Sequence, residues 1–327
     1  MVHALLTDTT LAVRVRGEAA PPFEAVVGSP QGDSLSPQLF NIYYEAALRD
    51  LRETYPPTPA EDKRLKLPPE TQYADDLDFI STSHQHLENI HEQVIKVPPE
   101  WKLQANATKT ERIHICWKRE REEETWSKTK SLGSRLGIAD DIDGRMQLAN
   151  AAVRKMWYMW GAQPVSLELK LKLFNVYVLP VMLYNCGTWG LTEQLASKID
   201  TWHRKQLRRL AGYVHPHHIS NTNLYKICNS SPLQNEVHRR RWTFFGHILR
   251  MSPDSPAQKA LNIAFSRKLS PRKGRPRGGL LDCLLDDVKL YFQQNIKAEA
   301  YVLKWLRDQA RQKEKWNGLY KNIKDSY

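Results

Sequence analysis

Gln72-Tyr73-Ala74-Asp75-Asp76-Leu77-Asp78-Phe79, inside the stretch 71–81 (TQYADDLDFIS), decides how the first part of the chain folds. Leu77 and Phe79 alternate with acids, the period of a half-buried strand, and the residues before Ala74 offer a strand to pair with it. The expected element is a β-hairpin with Ala74-Asp75-Asp76 at its tip. Two adjacent carboxylates at such a tip are placed where Mg²⁺ is held by few protein oxygens, phosphate oxygens filling the remaining positions. Taken alone, the same pair also reads as an ordinary capped turn.

Outward from this hairpin, short elements follow one another. Residues 11–27 alternate loosely around Gly17 and Pro21-Pro22, as a short hairpin does, and Pro30 to Pro37 is a Gly/Ser/Pro loop. Leu39 to Thr54 reads as a helix with Leu39, Tyr43, Ala47 and Leu51 on its inner face. The Pro-rich, charged stretch Pro56 to Pro69 is expected to be an exposed linker or insertion. Leu87 to Val97 is helical until Pro98-Pro99 stops it. Arg112 to Trp117 is an alternating strand, and a second lies near Leu132–Leu136.

Beyond about residue 142, helical periods replace strand signals. Arg145 to Trp160 is one expected helix, ended by Gly161. Ser166 caps another, which Pro180 must break or kink. Thr192 to Leu210 points Leu195, Ile199, Trp202 and Leu210 inward, and Gln234 to Met251 is a further helix. Phe265 to Gly279 (FSRKLSPRKGRPRGG) is expected to be an unstructured basic linker, followed by one or two charged helices from Leu280. The fold class is therefore α+β, with expected boundaries at 1–141, 142–264, 265–279 and 280–327.

Composition supports a folded chain: 327 residues, 41% of them hydrophobic, are enough for a sizeable core. Cys116, Cys186, Cys228 and Cys283 are dispersed, with no CxxC, so neither a disulfide framework nor a zinc ribbon is drawn, and a reducing compartment fits. His215-Pro216-His217-His218 matches no standard zinc spacing, with or without Cys186 or Cys228. The longest apolar run, Leu173 to Leu183, is about half of the ~20 residues that a bilayer span needs. No signal peptide is readable, and no membrane association is expected.

The net charge of +12 is concentrated. Residues 201–280 hold 16 Lys and Arg against Glu236 and Asp254 alone, so this stretch supplies the whole excess. Such a block suits an anionic partner, and a phosphate backbone is the usual one; the alternative is an ordinary solvated basic surface. Arg204, Lys205, Arg208 and Arg209 lie on the 192–210 helix, and Arg239, Arg240 and Arg241 adjoin Trp242. These arginines and lysines are expected to contact phosphates, positioning the backbone without reading bases. Trp202, Trp242, Phe244 and Phe245 read either as core or as stacking surfaces.

The ordered motifs carry a resemblance. Gly28-Ser29-Pro30-Gln31-Gly32-Asp33-Ser34-Leu35-Ser36-Pro37 precedes Tyr73-Ala74-Asp75-Asp76; Asn106-Ala107-Thr108-Lys109-Thr110 and then Ser131-Leu132-Gly133-Ser134 follow it. The series resembles a reverse transcriptase of the non-LTR (LINE-type) retrotransposon family, in its motifs B, C and D and its primer grip. The segments VLPVMLYNCGTWGLT, LRRLAG and RRRWTFFGHILRM resemble the thumb and post-thumb regions of such elements. The resemblance implies an RNA-directed DNA polymerase palm with Asp75 as a Mg²⁺ ligand and Asp76 supporting it. Two such metals activate a primer 3′-hydroxyl and stabilise the leaving pyrophosphate, which Lys109 would neutralise or protonate. It further implies nucleotide and template contacts at Gly28, Pro30, Gln31, Gly32, Tyr73 and Ala74. Leu132, Gly133 and Ser134 would meet the primer, and an RNA or DNA template–primer is the implied partner.

One motif of the family has no counterpart. Its motif A aspartate falls upstream of motif B, and Asp8, in LLTDTTLAV, does not match that setting. The expectation is an incomplete palm without its first strand and fingers, followed by a helical basic thumb and C-terminal module. It would bind nucleic acid without polymerising by itself. An alternative is a non-enzymatic nucleic-acid-binding protein that uses only the basic helical half. Lys273-Gly274-Arg275-Pro276-Arg277-Gly278 resembles the core of an AT-hook, a second route to DNA and a weak nuclear signal. The expected location is intracellular, nuclear or cytoplasmic.

Overall fold

The computed structural model describes residues 10–24, 32–66, 68–96, 100–106, 108–115, 125–162, 164–213, 215–268, 279–292 and 299–324. The chain divides into two compact units, Met1–Glu111 and Arg112–Tyr327. The fold is α+β, mostly helical, and the described strands pair only in two-stranded antiparallel sheets.

In the first unit, β1 (Thr10–Leu11) pairs with β4 (Phe23–Glu24) around the inner pair β2 (Arg14–Val15) and β3 (Glu18–Ala19), forming one extended hairpin. Helix α1 (Ser36–Thr54) follows, with Pro37 in its first turn, where a missing N–H costs nothing. Its buried face differs from the expected one. Ala47, Leu48 and Leu51 are buried while Tyr43 is exposed, because steps of four drift off a 3.6-residue period. Phe40 and Tyr44 stack with centroids 5.4 Å apart.

The stretch expected as a linker instead folds into α2 (Ala60–Leu65). Asp62, 1% exposed, explains why. Its carboxylate accepts from the Thr82 N–H at 2.8 Å, the Thr82 hydroxyl at 2.6 Å and the Ser81 hydroxyl at 2.5 Å. Burial raises its pKa, but these hydrogen bonds outweigh that and hold it below the usual range. The bonded segment joins the hairpin β5 (Glu70–Tyr73) and β6 (Asp76–Phe79) to helix α3 (His84–Lys96). Residues 111–115 form no strand; Ile113 and Ile115 are exposed, and among the described residues no strand pairs with them. Cys116 and Trp117 lie outside the described residues.

The second unit opens with the hairpin β7 (Lys130–Ser131) and β8 (Ser134–Arg135). Helix α4 (Ile138–Lys155) begins earlier than expected and ends at Met156. There the Trp160 indole donates to the Val153 carbonyl at 2.9 Å, and a separate turn, α5 (Trp157–Gly161), follows. Ser166 caps α6 (Leu167–Leu173), accepting from the Leu169 N–H. Pro180 does not end this helix. The backbone widens into a π-helical turn over Phe174–Val178 and resumes as α7 (Leu179–Met182). That geometry accommodates the absent N–H and the ring of a mid-helix proline.

Thr192 caps α8 (Glu193–Leu210), which buries Ile199, Trp202 and Leu210. Next come α9 (Asn221–Ile227), α10 (Leu233–Arg250) and α11 (Pro256–Lys268). Helix α11 runs four residues into the expected linker; the rest of it, 269–278, lies outside the described residues, as does its AT-hook-like sequence. Three helices, rather than one or two, follow: α12 (Leu280–Phe292), α13 (Glu299–Ala310) and α14 (Lys313–Lys324). Among the described residues, no helix is long and apolar enough to cross a membrane.

Two large apolar clusters organise this unit, beside a small one of Leu207, Leu224 and Cys228. The first gathers Ile142, Phe174, Val178, Ile199 and Trp202 from α4, α8 and the π-helical turn. The second gathers Trp242, Phe245, Leu284, Val288, Leu306 and Trp316 from the C-terminal helices. Gly246 on α10 lies against Trp316: a Cβ there would be 2.3 Å from Trp316 Nε1. Trp316 is 2% exposed and donates to the Trp242 carbonyl at 2.9 Å, so it has no room to retreat. Gly246→Ala should therefore destabilise the protein by about 1–3 kcal/mol, despite alanine's better helix propensity. Denaturant titration checks this, and a neutral or stabilising result would refute it.

Candidate functional site

The carboxylates sit where the hairpin expectation puts them. Tyr73 pairs with Asp76, Gln72 with Leu77, Thr71 with Asp78 and Glu70 with Phe79, leaving Ala74-Asp75 as a two-residue turn. Asp75, Asp76 and Asp78 are exposed, whereas Leu77 and Phe79 turn partly inward. Ala74 holds φ at +53°, a left-handed conformation that an L side chain adopts at a cost of about 1 kcal/mol. Tertiary anchoring at the base of the hairpin supports this turn. Arg52 on α1 donates to Glu70 through Nε at 2.9 Å and to Glu45 through Nη1 at 3.0 Å. The Tyr55 hydroxyl reaches Glu70 at 3.3 Å, and its ring meets Phe79 edge-on.

Tyr44 is a neighbour of this site that sequence reasoning missed. Burial first, and then the negative charges of Asp75, Glu70 and Asp76, raise its phenol pKa above the ordinary value. The site is thus an exposed acidic tip with a half-buried tyrosine on the supporting helix. Two accessible carboxylates fit a hard divalent cation that takes its other ligands from phosphate and water. Among the described residues, no cluster of three or more His, Cys, Asp or Glu is gathered around a metal position.

The remaining expected residues of the first unit are partly placed. Gly28, Pro30 and Gln31 lie outside the described residues. Gly32 adopts φ +96° in open space, and Asp33 accepts from the Leu35 N–H and the Ser36 hydroxyl at the start of α1. Lys109 is exposed on a turn closed by Asn106, whose carbonyl accepts its N–H at 3.0 Å and whose side chain accepts from Thr108.

In the second unit, Leu132 and Gly133 form the two-residue tip between β7 and β8, with φ of +48° and +77°. Both central residues left-handed is the signature of a type I′ turn, which Asn-Gly usually fills. Here leucine takes the first position, 47% exposed. Ser134 is buried beneath it.

The basic residues separate into different environments. Lys205 and Arg209 are exposed on α8. Arg204 and Arg208 are half-buried and engaged, with the Thr201 hydroxyl at 3.0 Å and the Asn221 side chain at 2.6 Å. Arg239 and Arg240 both hold Glu236, with Nε distances of 2.7 and 2.8 Å. Burial raises the Glu236 pKa, but the two arginines outweigh it and keep the group below its usual range. Arg241 corrects the expectation of a phosphate contact. It is 1% exposed and pairs with Asp287 on α12 at 2.7 Å, so it is part of the core. Trp202, Trp242 and Phe245 are core as well, whereas Phe244 is exposed.

Residues 1–138 match the reverse transcriptase (RNA-dependent DNA polymerase) family model. The matched segment includes the acidic hairpin, the Lys109 turn and the Leu132 turn, and ends at the first residue of α4. No curated protein and no solved structure matches the chain. The family implies binding of a nucleic-acid template–primer and use of divalent metal ions.

Proposed function

We propose that the chain is part of a retroelement polymerase of the non-LTR type, binding template–primer without extending it by itself. The observation that carries this reading is Asp75 at the exposed tip of a hairpin inside the segment that matches the reverse transcriptase family. Asp75 is the metal ligand of this proposal, Asp76 its support, and Mg²⁺ the ion. Gly28, Pro30, Gln31, Gly32, Tyr73 and Ala74 meet nucleotide and template, Lys109 meets pyrophosphate, and Leu132, Gly133 and Ser134 meet the primer. Mg²⁺ supplies charge neutralisation for phosphates when bound. The two hairpin carboxylates offer it few protein oxygens, so affinity depends on nucleic acid filling the other positions. The sequence supplies no acid in the setting of the family's motif A, and incomplete metal ligation lowers the rate by orders of magnitude.

Lys205 and Arg209 are the phosphate contacts best supported by exposure. Replacing both with glutamate should weaken template–primer binding at least tenfold and reduce its salt dependence, since each neutralised phosphate adds about one to the slope. Fluorescence anisotropy against salt concentration measures both quantities. Primer extension on an RNA template with Mg²⁺, beside an intact polymerase as positive control, tests activity. No extension is expected from the unmodified chain or from Asp75→Ala. Extension by the unmodified chain that Asp75→Ala abolishes would overturn the claim of inactivity.

A further inference from the structure

The turn at Leu132 is held by side chains from other parts of the second unit. Arg145, on α4, is 7% exposed, and its Nη2 donates to the Gly133 carbonyl and, at 3.2 Å, to the Ser134 hydroxyl. Asn185 Nδ2 donates to the same hydroxyl at 3.1 Å. The Tyr184 hydroxyl donates to the Leu132 carbonyl at 2.9 Å, and the Arg145 guanidinium lies 4.3 Å from the centre of the Tyr184 ring. Asp141, one helical turn before Arg145, completes the cage. Its carboxylate accepts from the Arg135 N–H at 2.8 Å and the Trp189 indole at 2.9 Å, and lies 3.6 Å from Arg145 Nε.

The bonds from Arg145, Tyr184 and Asn185 that reach the turn act on the Leu132 and Gly133 carbonyls or on the Ser134 hydroxyl, and Asp141 holds Arg145 in place; none of them acts on the Leu132 side chain. A left-handed leucine is disfavoured on its own, and its exposed side chain gains nothing from the core. A cage that fixes such a turn while leaving its apolar tip outside suits presentation of the tip to a partner. Resting on the reading of the chain as a template–primer binder, we propose that Arg145 is a positioning residue. It fixes the 131–134 turn so that Leu132 is held out as an apolar contact for the sugar faces of the primer strand. Arginine is required because one planar guanidinium serves a carbonyl, a hydroxyl, a carboxylate and an aromatic face at once. Lysine keeps the charge beside Asp141 but has no planar fork to span them.

The test uses the full chain, with amide exchange read by mass spectrometry and binding to a fluorescent RNA–DNA primer–template. Arg145→Lys should speed exchange over residues 130–136 at least tenfold, leave α8 unchanged, and weaken binding at least fivefold. Leu132→Asn suits the left-handed position better than leucine, so it should leave exchange at the turn unchanged or slower, yet weaken binding by a similar factor. Unchanged exchange in Arg145→Lys overturns the positioning role. Undiminished affinity in Leu132→Asn overturns the contact. If the unmodified chain binds no primer–template, the functional reading fails and the contact with it, while the exchange comparison still decides whether Arg145 positions the turn.

Discussion

Replacing Asp287 with alanine should cost about 3–5 kcal/mol of stability, the range for breaking a buried ion pair by removing one partner. Asp287 is 3% exposed, and its Oδ2 accepts from both Arg241 Nη2 at 2.7 Å and the Trp242 indole at 2.9 Å. Without it, a guanidinium that is 1% exposed loses the carboxylate that pairs with it. Leaving a buried charge unpaired costs far more than the attraction between the pair contributes. The control is Arg241→Met with Asp287→Leu, which removes both charges and keeps volume. That double variant should stay within about 2 kcal/mol of the starting protein. Urea titrations of the single and double variants separate the explanations. Equal damage from both would mean that packing, not charge, dominates. Under the proposed function the double variant should also bind template–primer like the unmodified chain, since Arg241 is enclosed.

Acid should weaken the second unit between pH 6.5 and 4. His203 is 2% exposed, stacked against Phe174 with ring centroids 6.1 Å apart, and burial followed by the charge of Arg204 lowers its pKa to about 4. Burial and then Arg241, partly opposed by Asp287, bring His238 to about 4 as well. The folded pKa of each lies below the unfolded value near 6.5. The unfolded chain therefore binds protons that the folded chain refuses as pH falls through this window. The stability associated with neutral imidazoles is complete above pH 6.5 and is lost progressively down to about pH 4. A shift of this size corresponds to roughly 3 kcal/mol for His203, and less for the more accessible His238. Asp200 acts in the opposite direction: its burial outweighs hydrogen bonds from the Gln234 and Leu233 N–H groups and raises its pKa. It therefore offsets part of the loss at the acid end. Unfolding free energies at pH 7 and 4.5 measure the sum, and His203→Phe should flatten the dependence. An equal slope in that variant would remove His203 from the explanation.

The acidic hairpin was legible because its signals are local. Alternation in Leu77 and Phe79 and a two-residue turn need no distant partner. The caps at Ser166 and Thr192 are local too, each hydroxyl accepting an N–H three residues on. What the sequence hid depends on contacts far along the chain. Asp62 sits in a Pro-rich stretch that looks solvated until Ser81 and Thr82 fold onto its carboxylate. Tyr44 looks like one more helical aromatic until the hairpin brings Asp75 near it. Arg239-Arg240-Arg241 is instructive, because part of the answer was present. Consecutive helical residues turn by 100° each, so three in a row cannot share one face. Which of them turned inward required Asp287, 46 residues later. The cage around Leu132 draws on α4 and on residues 184–189, and no spacing rule links those positions to a four-residue turn.

Helix α10 belongs to both large apolar clusters: Leu233 and Val237 sit in the first, Trp242, Phe245 and Leu249 in the second. The two cores are therefore keyed to one another through a single rigid rod. One residue inserted between Val237 and Arg241 would rotate everything after it by 100° and advance it by 1.5 Å. Such a change would carry Trp242 off its seat and break the meeting of Arg241 with Asp287, while altering no side chain. Over these few positions, descent should preserve chain length more strictly than residue identity. Single-residue insertions and deletions should be purged there even where many substitutions persist.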